Sequence, residues 1–216
     1  MDVSFLIKQY FAPAQDVSID VFDAESLYGV YRNVMRILTS HLEIEVSVLQ
    51  ALSYCFYEIL DNVHIHSGKP LGTAITFFDQ PKNILKILVA DDGKGIWQSL
   101  KENPSYADIT EEESLRACLR DSVTDGKGMG FGLYATSRMM KDAGIKLVLH
   151  SGHHKLVIQN DQTVVTENGF WQGTILYIEL NTSMDIDPQS VVEHRTDAEG
   201  EYNEGFIETE ELTSLW

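Results

Sequence analysis

The chain has 216 residues, 44% hydrophobic and 23% charged, which suits one ordinary globular domain with extensions and argues against wholesale disorder. Sixteen basic residues against thirty-three acidic ones give a net charge of −17. A field of that sign repels nucleic-acid backbones and anionic lipid, so the expected partners include neither nucleic acid nor a membrane. Cys55 and Cys118 lie far apart in apolar helical surroundings and read as buried thiols of a reducing compartment. Residues 1–15 lack a basic stretch followed by an apolar core, and no run approaches 18 apolar residues, so the sequence reads as a soluble cytoplasmic protein.

Residues 17–22 alternate apolar and polar, as a short strand does. Leu27, Val30, Tyr31, Val34, Met35 and Leu38 then recur at helical spacing, which predicts a helix over about residues 24–40. A longer helix follows, carried by Val48, Leu49, Leu52, Phe56, Ile59 and Val63 and stopped by Gly68 and Pro70. Strands are expected at 73–78 and 84–90, then a glycine turn at 93–95 and a polar insert at 97–127. Within the insert, Thr110 and Glu113 form a capping box for a helix through Leu115 and Leu119. A glycine-rich turn at 128–132 opens a helix to about Lys141, stopped by Gly144. Four strands are expected near 146–150, 155–159, 163–166 and 174–180.

Residues 183–216 carry ten acids against one arginine and so contribute −9 of the total charge. That composition suits disorder. Phe206, Ile207, Leu212, Leu215 and Trp216 add the alternative of a segment that docks onto a partner or onto the domain. The histidines His150, His153 and His154 surround Ser151–Gly152. No cysteine or acid of suitable spacing joins them, so a hairpin turn is expected there rather than a metal site. Trp97 and Trp171 read as packing residues.

Three groups of residues carry chemistry. Glu58, Asn62 and His66 stand at i, i+4 and i+8 on the long helix and share one stripe. A carboxylate one turn from a carboxamide can poise a hydroxyl or water, while the amide oxygen holds a hard cation. Asp61 beside Asn62 reads as a solvated surface acid. Asp91, Gly93 and Gly95 form a D-x-G-x-G turn after an apolar strand, where the glycines let backbone approach a flat ligand. Gly128, Gly130, Gly132 and Leu133 form a G-x-G-x-G-L loop running into a helix, whose amides and dipole favour an anion. The loop matches neither the dinucleotide fingerprint nor a Walker A loop.

In this order, with Gly173–Thr174 entering the last strand, the motifs resemble the GHKL nucleotide-binding superfamily over roughly residues 45–181. The resemblance implies an α+β fold: a two-layer α/β sandwich of Bergerat type, its mixed, mostly antiparallel sheet covered on one face by helices. The implied organisation is an N-terminal helical extension (1–44), an ATP-binding domain (45–182) with a lid at 97–127, and the acidic tail (183–216). It also implies ATP and Mg²⁺ as ligands. Glu58 would orient or activate the nucleophile, Asn62 would bind magnesium, and Asp91 would accept from the adenine amino group beside Gly93, Gly95, Ile96 and Thr174. Lys127, Gly128, Met129, Gly130, Phe131, Gly132 and Leu133 would surround the phosphates, and His66 would contact the ligand or make a structural hydrogen bond.

Within the superfamily, the short C-terminal stretch leaves no room for a second catalytic domain. Upstream of the long helix the one histidine, His41, lacks a phosphoacceptor pattern. The layout is therefore most similar to that of the anti-sigma-factor serine kinases. That similarity implies a protein partner, such as a sigma-factor regulator or a STAS-type antagonist, and leaves homodimerisation open. Two functions follow from it as expectations: phosphotransfer from Mg-ATP to a protein serine or threonine, or an ATP-gated switch with slow or no hydrolysis.

Overall fold

The computed structural model describes residues 1–14, 16–41, 46–127, 130 and 132–181. The acidic tail, read from the sequence as disordered or docking, lies outside them, as do Gly128, Met129 and Phe131.

Helix α1 (Val3–Leu6), capped where the Phe5 N–H donates to Asp2, continues into a wide helical turn at Ile7–Phe11. Strand β1 (Ser18–Phe22) follows, then α2 (Leu27–His41) and α3 (Val46–His66). The start of α2 is tied reciprocally: Asp23 Oδ1 accepts from Ser26, and the Asp23 N–H donates to Ser26 Oγ at 2.9 Å. Strands β2 (Gly72–Asp79) and β3 (Ile84–Ala90) form a hairpin. The insert contains α4 (Gly95–Leu100) and α5 (Glu111–Ala117), and α5 carries the expected capping box of Thr110 and Glu113. Helix α6 (Gly132–Asp142) ends before Gly144, whose φ of +65° admits the reversal into β4 (Lys146–Gln159) and β5 (Gln162–Asn181).

The fold is α+β. Among the described residues the strands form one sheet in the order β1-β2-β3-β5-β4, and every pairing is antiparallel where a mixed sheet was expected. Helices α2, α3, α5 and α6 cover one face, burying Leu38, Phe56, Leu60, Leu115 and Met140 against Leu85, Ile87, Leu147 and Ile178. Leu60 is fully buried, and trimming such a side chain to alanine costs about 2–5 kcal/mol.

Four sequence expectations need correction. The sheet is not covered on one face alone, because Leu6 and Phe11 pack a second core with Ile75, Leu88, Val148 and Tyr177 on the other face. The stretch 1–44, expected as a helical extension, thus supplies an edge strand, a helix of the main core and the cover of the second face. The four C-terminal strands are two long ones, β4 and β5, which turn at Asn160–Asp161 with both φ angles positive. Ser151–Gly152 is therefore a bulge inside β4, not a hairpin turn.

Candidate functional site

The end of β3, the C-terminal half of α3, the start of α6 and the polar insert enclose a cavity of about 370 Å³. Helix α3 supplies Glu58, Asn62 and His66, the three residues of the first motif, because their i, i+4 spacing turns one stripe towards the cavity while Leu52 and Phe56 face the core. Asp61 also lines the cavity. Burial raises its carboxyl above the ordinary range, with His64 and His66 offsetting part of the effect, so it is no solvated surface acid.

Asp91 emerges from β3 with 4% of its surface exposed. Its Oδ1 accepts the Gly93 N–H at 2.8 Å, and its own N–H donates to the Thr174 carbonyl at 2.9 Å. Burial pushes its carboxyl up to about 6, although the Gly93 and Thr174 backbone groups pull the other way. A Cβ at Gly95 (φ +76°) would stand 2.6 Å from Ser151 Oγ, so a side chain has no room there. The Ile96 N–H donates to the same Ser151 hydroxyl at 3.0 Å, and Ser151 in turn donates to the Gly173 carbonyl at 2.8 Å. Gly95, Ile96 and Thr174 line the cavity; Gly93 lies behind it, against the Ser67 carbonyl.

From the glycine loop, Gly130, Gly132 and Leu133 reach the cavity wall. Gly132 opens α6 directly against Glu58, whose carboxylate fills the space of a Cβ. Lys127, expected at the phosphates, is not among the lining residues, and its Nζ pairs with Glu102 at 2.9 Å, beside the Lys94–Glu102 pair. Lys127 Nζ also stands 4.0 Å from Oδ2 of Asp125, an acid of the cavity wall.

Several residues were not singled out from the sequence. Asp125, at the end of the insert, is 7% exposed and lines the cavity. Its Oδ2 accepts from His66 Nδ1 at 2.9 Å and from Ser99 Oγ at 2.7 Å, and its Oδ1 accepts the Lys127 N–H at 3.0 Å. Burial opposes its charge, but the donors from His66, Ser99 and Lys127 prevail and hold the carboxyl below the usual range. Ser151 and Gly173 brace the Asp91 turn. Trp171 packs as expected, stacking on Phe5 with ring centres 6.0 Å apart, and its indole N–H donates to the Asp91 carbonyl at 3.1 Å. Trp97 likewise serves structure, donating to the Ile109 carbonyl at 2.7 Å.

Outside the cavity, Glu111 of α5 joins the histidines of the β4 bulge. Its carboxylate accepts from the His153 backbone N–H and bonds His154 Nδ1 at 2.8 Å, so an acid does stand beside these histidines. Among the described residues, no group of three or more His, Cys, Asp or Glu side chains is placed to hold a metal ion. Cys55 and Cys118 are free and buried, and burial pushes both thiols up to about 12. No helix among the described residues is long and apolar enough to cross a membrane.

Neither a scan against models of protein families nor a search of curated proteins returned a match to this chain.

Proposed function

We propose that this chain is a GHKL-type protein of the cytoplasm that binds Mg-ATP and transfers its γ-phosphate to a serine or threonine of a partner protein, in the manner of the anti-sigma-factor kinases. The observation that carries the reading is the convergence of residues from three separate motifs (Glu58 and Asn62, Asp91 and Gly95, Gly130 and Gly132) on one cavity with Thr174. Four acids line that cavity, namely Glu58, Asp61, Asp91 and Asp125, and among the described residues no lysine or arginine does. An anionic ligand there needs backbone amides and an accompanying cation, which fits a nucleotide bound with magnesium.

Asp91 has the burial and position to accept from an adenine amino group, with Gly95 and Thr174 against the ring. The Asn62 amide oxygen would hold magnesium, an ion that takes few protein ligands and neutralises charge developing on transferred phosphate. Glu58 accepts the proton of the attacking hydroxyl as that oxygen bonds to phosphorus and the bridging oxygen leaves with the diphosphate. The partner is a sigma-factor regulator or a STAS-type antagonist. Titration calorimetry of the full chain with ATP, with and without magnesium, tests the reading; no heat of binding in either condition overturns it.

A second reading, a non-catalytic or slowly hydrolysing ATP-gated switch, is favoured by the seat of Glu58 against Gly132. In that position the acid is engaged at the start of α6 rather than held out towards a nucleophile. Release of labelled phosphate, or its transfer to a purified partner, distinguishes the two readings.

A further inference from the structure

His66 stands where α3 meets the end of the polar insert, and its ring is fixed by a single carboxylate. Asp125 is the acceptor, its side chain 1% exposed, while the imidazole is 30% exposed and lines the cavity. An ionised carboxylate has no proton to give, so the hydrogen in the 2.9 Å contact belongs to His66 Nδ1. Ser99 Oγ donates to the same oxygen and the Lys127 N–H to the other, so rotation of the carboxylate is opposed from two sides. Among the described residues, Nε2 of His66 has no protein hydrogen-bond partner, and His66 is the one lining side chain able to carry positive charge.

We propose that Asp125 is a positioning residue that locks His66 in the Nδ1–H form and thereby presents Nε2 to the phosphate end of a ligand in the cavity. The proposal rests on the reading of the cavity as a nucleotide site and deepens it, because it names the side chain that meets the anion where no lysine or arginine does. With Nδ1–H committed to Asp125, Nε2 is the ring atom left to meet a ligand, and where it carries a hydrogen it donates to a phosphate oxygen. The unprotonated nitrogen accepts instead from a ligand hydroxyl. The bond also ties the insert to α3, so the ring is aimed when the end of the insert is seated.

Two substitutions separate the roles of the ring nitrogens. The amide of His66→Asn reaches the Nδ1 position and keeps the bond to Asp125, but leaves nothing at Nε2. The longer amide of His66→Gln reaches the Nε2 position and gives up the bond to Asp125. Calorimetry with Mg-ADP and Mg-ATP on the full chain is read beside hydrogen exchange of residues 97–127 and the ¹⁵N imidazole spectrum. The wild type is expected to show the Nδ1–H form, and Asp125→Asn to lose it. His66→Asn is expected to bind Mg-ATP at least about tenfold more weakly with exchange in the insert unchanged, since a hydrogen bond to a charged group is lost. His66→Gln is expected to retain more of the affinity while exchange in the insert accelerates. Wild-type affinity in His66→Asn, or an Nε2–H form in the wild type, overturns the inference and leaves the nucleotide site standing. Failure of the wild type to bind either nucleotide overturns the proposed function together with this inference.

Discussion

Gly173 lies directly against Asp91. With φ at +97°, it places the position of a Cβ 2.7 Å from Asp91 Oδ1 and in overlap with the Asp91 carbonyl. Gly173→Ala is therefore expected to destabilise the fold by about 1–3 kcal/mol, from backbone strain and the forced shift of the Asp91 turn. Thermal denaturation checks the loss, and a melting temperature equal to that of the wild type would show that the turn tolerates the methyl.

Asp91 has a pH signature of its own. Its folded carboxyl is raised to about 6 from 3.8, so its contribution to stability is complete below 3.8 and is lost as pH rises through about 6. Nucleotide affinity is expected to move the opposite way, rising through the same window as the carboxylate becomes a charged acceptor. Asp91→Asn removes both dependences and weakens adenine-nucleotide binding by about 1–3 kcal/mol. Paired melting curves and calorimetry between acid and neutral pH read the two trends; a pH-independent difference between the proteins contradicts them.

Glu58 and Asn62 separate catalysis from binding. Glu58→Gln keeps shape and loses charge, so turnover is expected to fall about 100-fold or more while Mg-ATP still binds. Asn62→Ala is expected instead to lose the magnesium-dependent part of the affinity. Steady-state phosphate release measured beside calorimetry gives both numbers. Unchanged turnover in Glu58→Gln removes the acid from the chemistry, and absence of turnover in the wild type with every partner favours the switch.

Glu111 fastens α5 to the bulge of β4. Burial opposes its charge, but hydrogen bonds from His154 and His153 outweigh it and hold the carboxyl below its ordinary 4.5. The stability it supplies is thus present above 4.5 and lost as pH falls through the lower folded value. Glu111→Gln is expected to speed hydrogen exchange in residues 111–117 and 150–154 at neutral pH. Equal exchange in both proteins would mean that the contact holds nothing.

Periodicity made α3 legible within two residues at its start, because Leu49, Leu52, Phe56, Ile59 and Val63 bury one continuous stripe. The capping box of α5 was legible for a similar reason, since both partners lie within four residues. Glycines misled the reading of β4 and β5, where Gly152 and Gly173 punctuate the sequence like turns but serve as a bulge and a close approach. The cover of the second face was hidden because α1 is only four residues long, too short to show a period. At the site, motif residues share short spacings and could be read. Asp125 meets His66 across 59 residues and Glu111 meets His154 across 43, distances over which sequence carries no such signal.

The strands of this sheet also set how the molecule melts. Along β3, Leu85, Ile87 and Val89 point into one core while Leu88 and Ala90 point into the other, and β4 divides Leu147 and Leu149 from Val148 in the same way. Strand β5 repeats the division with Leu176 and Ile178 against Ile175 and Tyr177. Neither core can lose its packing without freeing strands that the other requires. The described residues from α1 to β5 are therefore expected to unfold in a single two-state transition, with the same midpoint whether followed at Trp171 on one face or at Tyr31 on the other.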